Sequence, residues 1–310
     1  MSKIKVDPYS NLKLEENLEK AVSHSESIEN LIRELYEVAK ESKKLEKIKA
    51  PEKQFKPFEF SKLLENMLLL WTEGKEINGY KRRKVCRTAY IIKWLETLGY
   101  KVDFNKYPII TSLLLSLDAA INYTDDSLDT SNIDRTNVIK TYSFLFQLPY
   151  LFLSSLYTSN KITLLKNLAK REVRKLFGIF ELIYKRFSEW YFNLLKIPFT
   201  EENLYKKFSE NKNISFEEKI HLYDVRKRDI DIHAEIILEI SNVPKKERER
   251  VLNILRDLRA YQLITKDFYD QNYDRMMGVR NPVIYFSSED FSRLKKYYST
   301  KILSSMENVN

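Results

Sequence analysis

A long apolar segment, from Tyr107 to Leu128, contains no glycine and ends in a cluster of acids. Its length and composition are typical of a helix that lies inside a bundle. The acids at its end are Asp125, Asp126 and Asp129. On a helix the first and last of these lie one turn apart on one face. Asp118 and Asn122 extend that face backward, so a polar stripe is expected along an otherwise apolar helix.

Two carboxylates one turn apart form a natural pair of oxygen ligands for Mg²⁺. This ion commonly takes one or two carboxylates and fills its other positions with water and substrate phosphate. Carboxylates that face the inside of a bundle are costly unless they are paired or bind a metal. A solvated helix end is the alternative, because acid-rich helix ends are common. The motif alone leaves both interpretations open.

Glycine and proline, which interrupt helices, are scarce along the chain, so a helical fold is expected for the whole protein. The 310 residues include only 5 glycines and 8 prolines, whereas strand-rich folds need many turn residues. Charged residues of both signs are spread along helical faces, as on a helical surface. We therefore expect an all-α fold, a large single-domain helical bundle over residues 1–310 with a loose N-terminal arm at about 1–13.

The predicted helices follow the apolar periodicity and the capping signals. They are Ser27–Lys47, Phe60–Thr72, Arg82–Leu98, Tyr107–Asp129, Asn137–Tyr157, Lys161–Leu195, Ser215–Ile240, Pro244–Asp274 and Ser288–Met306, with shorter pieces near Glu201–Glu210. Capping pairs are expected at Ser215 with Glu218 and at Ser287 with Asp290. The segment from Glu73 to Gly79 is interpreted as a turn.

Net charge, cysteine content and hydropathy limit the partners and the cellular compartment that are expected for the protein. The formal charge is +9, but the lysines lie in mixed clusters, so a nucleic-acid partner is not expected. A diphosphate site, or contact with an anionic membrane surface, would use the same charge. The single cysteine, Cys86, excludes an internal disulfide. Without a recognisable signal peptide or a transmembrane run, a cytoplasmic protein is expected.

A second acidic cluster lies on the predicted helix that follows Pro244. Asp267, Asp270 and Asp274 are spaced to share one face. One interpretation is a surface stripe paired with Lys266 and Arg275. The other is a second group of Mg²⁺ ligands that faces the first cluster across one cavity.

A basic segment precedes both acidic clusters. From Gly79 to Val85 it includes Lys81, Arg82 and Lys84 and is expected to begin a helix. Because a helix N-terminus favours anions through its unpaired N–H groups and its dipole, these cations predict a diphosphate site. A basic surface turn is the alternative.

These three motifs resemble, in order, those of the polyprenyl diphosphate synthase family, the trans-isoprenyl diphosphate synthases. Gly79 to Val85 is similar to the family's glycine-lysine-arginine box, and Asp125 to Asp129 matches its first aspartate-rich motif. Tyr261-Gln262 followed by Asp267 to Asp270 is similar to its second. The resemblance spans roughly residues 60 to 280. It implies a bundle around a central cavity, Mg²⁺ dependence, isoprenoid diphosphate substrates, and a homodimer or a heterodimer with another prenyl synthase.

By the same resemblance, functional roles fall on particular residues. Asp125, Asp129 and Asp270 are the expected catalytic carboxylates, and Asp125, Asp126, Asp129, Asp267, Asp270 and Asp274 the expected Mg²⁺ ligands. The expected diphosphate-binding residues are Lys81, Arg82, Lys84, Arg135, Arg228 and Gln262. The implied reaction condenses isopentenyl diphosphate with an allylic diphosphate. Because Ala120 and Ile121 precede the first motif without an aromatic ring, a product of twenty carbons or longer is expected.

The chain departs from the family pattern at several cations. Asp118 stands where the family has histidine, Asp134 replaces one of two arginines, and Asp229 lies near the usual lysine-threonine pair. Added acids would repel a diphosphate. Two alternatives therefore stay open: a class I terpene cyclase-like enzyme, and a catalytically weakened subunit that regulates an active partner.

Overall fold

The computed structural model describes residues 16–44, 60–77, 80–129, 170–210, 213–279 and 281–307. Over a few short stretches within these ranges, including 123–129, the description is of the backbone alone. This part of the chain is almost entirely helical, and its only strands form one short hairpin. The all-α prediction is confirmed.

The chain divides into two compact units. Unit 1 comprises Met1–His24, Phe199–Ile230 and Lys246–Asn310, and unit 2 comprises Ser25–Pro198 and Asp231–Lys245. A 40-residue helix, Lys170–Ser209, contains the division at Pro198, a residue that cannot donate a main-chain hydrogen bond. This continuous helix includes most of Glu201–Glu210, where separate pieces were expected, so that prediction is wrong. The prediction of a single domain stays a prediction.

Unit 2 contains the first acidic motif. Its helices are α2 (Glu26–Lys44), α3 (Phe60–Thr72), α4 (Arg87–Thr97), α5 (Pro108–Asp129), the first part of α6 (Lys170–Ser209) and α8 (Asp231–Ile240). Helix α2 packs against α3, α4 and α5, and α4 packs against α8. The buried core includes Leu35, Trp71, Trp94, Leu114 and Ile237. The predicted bounds of α3 and α5 agree with these helices to within one residue.

A short hairpin precedes α4, where the sequence predicts a turn followed at once by a helix. Strands β1 (Lys75–Ile77) and β2 (Tyr80–Arg82) pair antiparallel, with Ile77 opposite Tyr80. Helix α4 then begins at Arg87, so the predicted start at Arg82 is wrong. The sequence signal was available, because Asn78-Gly79 between two β-forming residues favours a two-residue hairpin turn.

Unit 1 contains the second acidic cluster. Its helices are α1 (residues 16–22), the end of α6, α7 (Phe216–Arg226), α9 (Arg248–Met276) and α10 (Ser288–Glu307). Helix α9 packs along α10 and against α7, with Leu255, Ile264, Phe291 and Leu294 buried between them. Both predicted capping pairs form: Ser215 with Glu218, and Ser287 with Asp290.

The predicted helix from Ser215 to Ile240 is interrupted. A 3₁₀ turn, Lys227–Ile230, separates α7 from α8. Asp229 in this turn is buried and forms a two-pronged ion pair with Arg259 of α9, with N–O distances of 2.9 and 2.6 Å. Lys227 bonds Asp257 of α9 at 2.9 Å. Both contacts join this turn to α9.

None of the helices in the described ranges has the length and apolar composition needed to cross a membrane.

Candidate functional site

The first acidic motif occupies the last turn of α5, as predicted. Only the backbone of this turn is described, so the side chains of Asp125, Asp126 and Asp129 lie outside the described residues. Arg135 and Asp134 lie outside them as well. Their predicted contacts with Mg²⁺ and diphosphate stay predictions. The earlier members of the polar stripe, Asp118 and Asn122, are described and buried.

Asp118 caps the N-terminus of α4. Its Oδ1 accepts the main-chain N–H of Arg87 at 2.8 Å, and its Oδ2 accepts the main-chain N–H of Thr88 at 2.9 Å. The Thr88 hydroxyl donates to the same Oδ2 at 2.6 Å. Cys86, the residue at the N-cap position, makes no side-chain capping bond. A carboxylate from another helix therefore satisfies two of the unpaired N–H groups of this helix end.

The charge of Asp118 has a cationic neighbour. The Arg87 guanidinium lies 3.8 Å from Asp118 Oδ1, and both side chains are almost completely buried, with 3% and 0% exposed. His233 Nε2 lies 3.7 Å from the same oxygen. This carboxylate is an internal ligand of a helix end and of an arginine, and the expected repulsion of a diphosphate stays a prediction.

Asn122, one turn further along α5, secures the chain just before α4. Its amide nitrogen donates to the Val85 carbonyl at 3.0 Å, and its oxygen accepts from Arg87 at 3.4 Å. Burial, followed by the nearby charge of Asp118, raises the pKa of the Cys86 thiol well above its usual value. Cys86 is thus a neutral, buried packing residue. Together these contacts fix the end of the basic segment against α5.

The basic segment does not begin a helix, which corrects the sequence prediction. Lys81 and Arg82 belong to β2, and their side chains lie outside the described residues. Lys84 is half-buried, and its main-chain N–H donates to the Leu70 carbonyl at 3.0 Å. Since the N-terminus of α4 already binds Asp118, the helix end expected to bind a diphosphate is occupied by a carboxylate of the protein itself.

In the second acidic cluster, Asp267 belongs to a buried ionic group. Its Oδ2 accepts the Tyr223 hydroxyl at 2.9 Å, and its two oxygens are bridged by the guanidinium of Arg226, with one contact at 3.2 Å. Arg226 also contacts Glu201 at 3.0 Å. Burial lowers the pKa of Arg226, but the charges of Asp267 and Glu201 outweigh it and hold that pKa well above its ordinary value.

The other two acids of this face have protein partners too. Asp270 Oδ2 lies 2.8 Å from Lys266 Nζ, one turn earlier on α9. Asp274 is buried and accepts the Asn281 amide at 3.2 Å. The pairing of a surface stripe with Lys266 is thus correct for Asp270, whereas the surface position is wrong for the buried Asp267 and Asp274. Because both Asp267 oxygens accept hydrogen bonds from a cation, Asp267 does not fit a divalent metal.

Gln262 and Arg228, two further residues predicted to bind a diphosphate, lie in different local environments. Gln262 is buried: its oxygen accepts from Arg259 at 2.6 Å, and its nitrogen donates to the Val22 carbonyl at 3.3 Å. Arg228 is half-buried in the 3₁₀ turn before α8. Both predicted roles stay predictions.

Comparison with known proteins returned no match. Neither a protein-family model, nor a curated protein, nor a solved structure matches this chain. Within the ranges for which side chains are described, no group of three or more histidine, cysteine or acidic residues could hold a metal ion.

The sequence patterns did not identify two arginines that neutralise buried acids in unit 1. Arg226 and Arg259 neutralise Asp267 and Asp229 respectively, across sequence separations of 41 and 30 residues. Each cation and its acid lie on different elements, so a search along one helical face cannot pair them. The sequence holds only a weaker signal, which is an excess of acids on helices rich in apolar residues. Such acids require compensating cations from other elements when they are buried.

Proposed function

We propose that this protein catalyses Mg²⁺-dependent prenyl transfer, condensing isopentenyl diphosphate with an allylic diphosphate to a product of twenty carbons or longer. The observation that carries the proposal is the motif Asp125 to Asp129 on the last turn of α5, a helix with a buried apolar body. The basic segment before α4, held against α5 through Asn122 and Val85, supports it. An isoprenoid synthase-like bundle around a cavity is part of this proposal.

Roles for the chain's own groups follow from their charges. Asp125, Asp126 and Asp129 would hold Mg²⁺, which would neutralise charge on the leaving diphosphate. Lys81 and Arg82 add fixed positive charge where negative charge develops. Buried apolar side chains of α5 keep water from the allylic cation. A cytoplasmic enzyme, dimeric with itself or with another prenyl synthase, completes the proposal.

A catalytically weakened, regulatory subunit is the second candidate, and one specific observation favours it. Asp267, the expected partner of the first motif in metal binding, is held in a buried ion pair with Arg226. The terpene cyclase-like alternative needs an allylic diphosphate but no isopentenyl diphosphate. The three functions therefore differ in which substrates they consume.

The deciding experiment incubates the purified full chain with Mg²⁺ and allylic diphosphates of different lengths, with and without isopentenyl diphosphate. Released diphosphate and prenyl products are both measured. Diphosphate release that requires isopentenyl diphosphate supports the prenyltransferase, and release without it supports the cyclase-like enzyme. Release in neither mixture contradicts both enzymes and leaves the regulatory subunit.

A further inference from the structure

The guanidinium of Arg226 lies where a metal ion bound to Asp267 would have to lie. Its two terminal nitrogens reach both carboxylate oxygens, and the Tyr223 hydroxyl donates to one of those oxygens at 2.9 Å. Arg226 also contacts Glu201 at 3.0 Å, so one cation serves two acids. Only 12% of the Arg226 side chain and 4% of the Asp267 side chain are exposed.

This arrangement disfavours a divalent cation for two reasons. Mg²⁺ demands near-ideal octahedral geometry with oxygen atoms at about 2.0–2.1 Å, which the bound guanidinium obstructs. Displacing Arg226 would also leave a buried guanidinium without one of its two carboxylates, and breaking buried ion pairs is strongly unfavourable. A planar, two-pronged arginine–carboxylate contact is among the strongest polar contacts in proteins.

The rest of the acidic face on α9 agrees with this arrangement. Asp270 pairs with Lys266 at 2.8 Å, and Asp274 accepts the Asn281 amide at 3.2 Å. Arg226 and Lys266 therefore contact two of the three acids that the sequence pattern assigns to metal binding, and the neutral Asn281 amide contacts the third. The ionic group around Asp267 ties α6, α7 and α9 together within unit 1.

We infer that Arg226 takes the place of a metal at Asp267, so that the acidic face of α9 binds no divalent cation. Any divalent cation of the proposed reaction is then bound through the Asp125–Asp129 motif without a ligand from the acidic face of α9. The statement about the Asp125–Asp129 motif rests on the proposed function. The statement that the acidic face of α9 binds no divalent cation holds whatever reaction the protein catalyses.

The inference is tested by measuring Mn²⁺ binding to the full chain, because Mn²⁺ is a spectroscopically visible substitute for Mg²⁺. Inorganic pyrophosphate is present as the diphosphate probe. Asp267→Asn, Asp270→Asn and Asp125→Asn are compared with the wild-type protein. We expect the first two to bind Mn²⁺ with wild-type stoichiometry and affinity, whereas Asp125→Asn should weaken binding by at least about 10-fold. Asp270→Asn keeps the test informative if Asp267→Asn fails to fold, because Asp270 is the more exposed.

The outcomes separate the two claims. Loss of Mn²⁺ sites in folded Asp267→Asn or Asp270→Asn would overturn the inference. Wild-type binding in Asp125→Asn, or no Mn²⁺ binding by the wild-type protein, would contradict the proposed function. In either case unchanged binding in the two α9 variants would still support the role assigned to Arg226.

Discussion

Asp118 binds Thr88 twice, accepting its main-chain N–H at 2.9 Å and its hydroxyl at 2.6 Å. Through these bonds α5 supplies the cap that α4 lacks in its own sequence, because Cys86 at the N-cap position cannot provide it. The interaction fixes the start of α4 relative to the helix that ends in the first acidic motif. Asp118 is thus a positioning residue for the basic segment that precedes α4.

Replacing Asp118 by alanine should destabilise the protein strongly. Two main-chain N–H groups would lose their acceptor, and the buried Arg87 would lose a carboxylate neighbour. Removing one partner of a buried ionic contact costs about 3–5 kcal/mol of unfolding free energy. Urea denaturation followed by circular dichroism measures this loss.

Asp103→Ala is the matched control for that measurement. Asp103 pairs with Lys106 at the surface of the same unit, with side chains 41% and 59% exposed. A surface pair of this kind contributes roughly 0–1 kcal/mol. Equal effects of the two substitutions would contradict the capping role of Asp118.

How far the fold follows from sequence depends on whether a signal is local. The capping pairs Ser215–Glu218 and Ser287–Asp290 are three residues apart, and both were predicted correctly. The α3 and α5 boundaries also follow from local apolar periodicity and flanking turn residues. By contrast, the cap of α4 comes from Asp118, 30 residues beyond Thr88, so no local pattern predicts it.

The candidate site shows the same limit. Spacing placed Asp267, Asp270 and Asp274 on one face of α9, and it also suggested Lys266 as a partner of that face. Spacing could not show that Arg226 of α7 reaches Asp267, because that contact depends on how two helices pack. One-helix patterns thus locate acids correctly but leave open whether a metal or an arginine neutralises them.

Tyr298 should make the stability of the protein sensitive to alkaline pH. Burial, reinforced by the charge of Asp224 3.1 Å from the hydroxyl, raises the pKa of Tyr298 far above its ordinary value of 10.0. Below about pH 10 the folded and unfolded chains both keep the proton, so the stabilisation is fully present. Above it only the unfolded chain releases the proton, and unfolding free energy should fall by up to about 1.4 kcal/mol per pH unit.

Tyr298→Phe should therefore lessen the decline in stability between about pH 10 and 11 relative to the wild-type protein. Its stability at pH 8 should be lower by about 1 kcal/mol, because the hydrogen bond to Asp224 is lost. Tyr297→Phe, a change at the exposed neighbouring position, serves as the control. An identical pH dependence for wild type and Tyr298→Phe would show that Tyr298 does not titrate differently on unfolding.

Product length tests the position of α5 in the proposed reaction. Ala120 is buried and lies five residues before Asp125. Ala120→Phe should shorten the prenyl product, since a ring in a close-packed interior cannot easily be accommodated elsewhere. Chromatography of the products measures it, with Ala234→Phe, another buried alanine of unit 2, as a control for general overpacking. An unchanged product would place Ala120 away from the growing chain.

Turnover by Asp125→Asn tests the central claim most directly. If Asp125 binds the metal that neutralises the leaving diphosphate, the substitution should lower Mg²⁺-dependent diphosphate release by about 10²-fold or more. The stability of the fold should be maintained or increased, because a repulsive acid pair is relieved. Asp103→Asn, at an exposed position of the same unit, should retain wild-type turnover. Loss of release in Asp125→Asn alone is the predicted result, and equal release by the wild-type protein and Asp125→Asn would contradict the account.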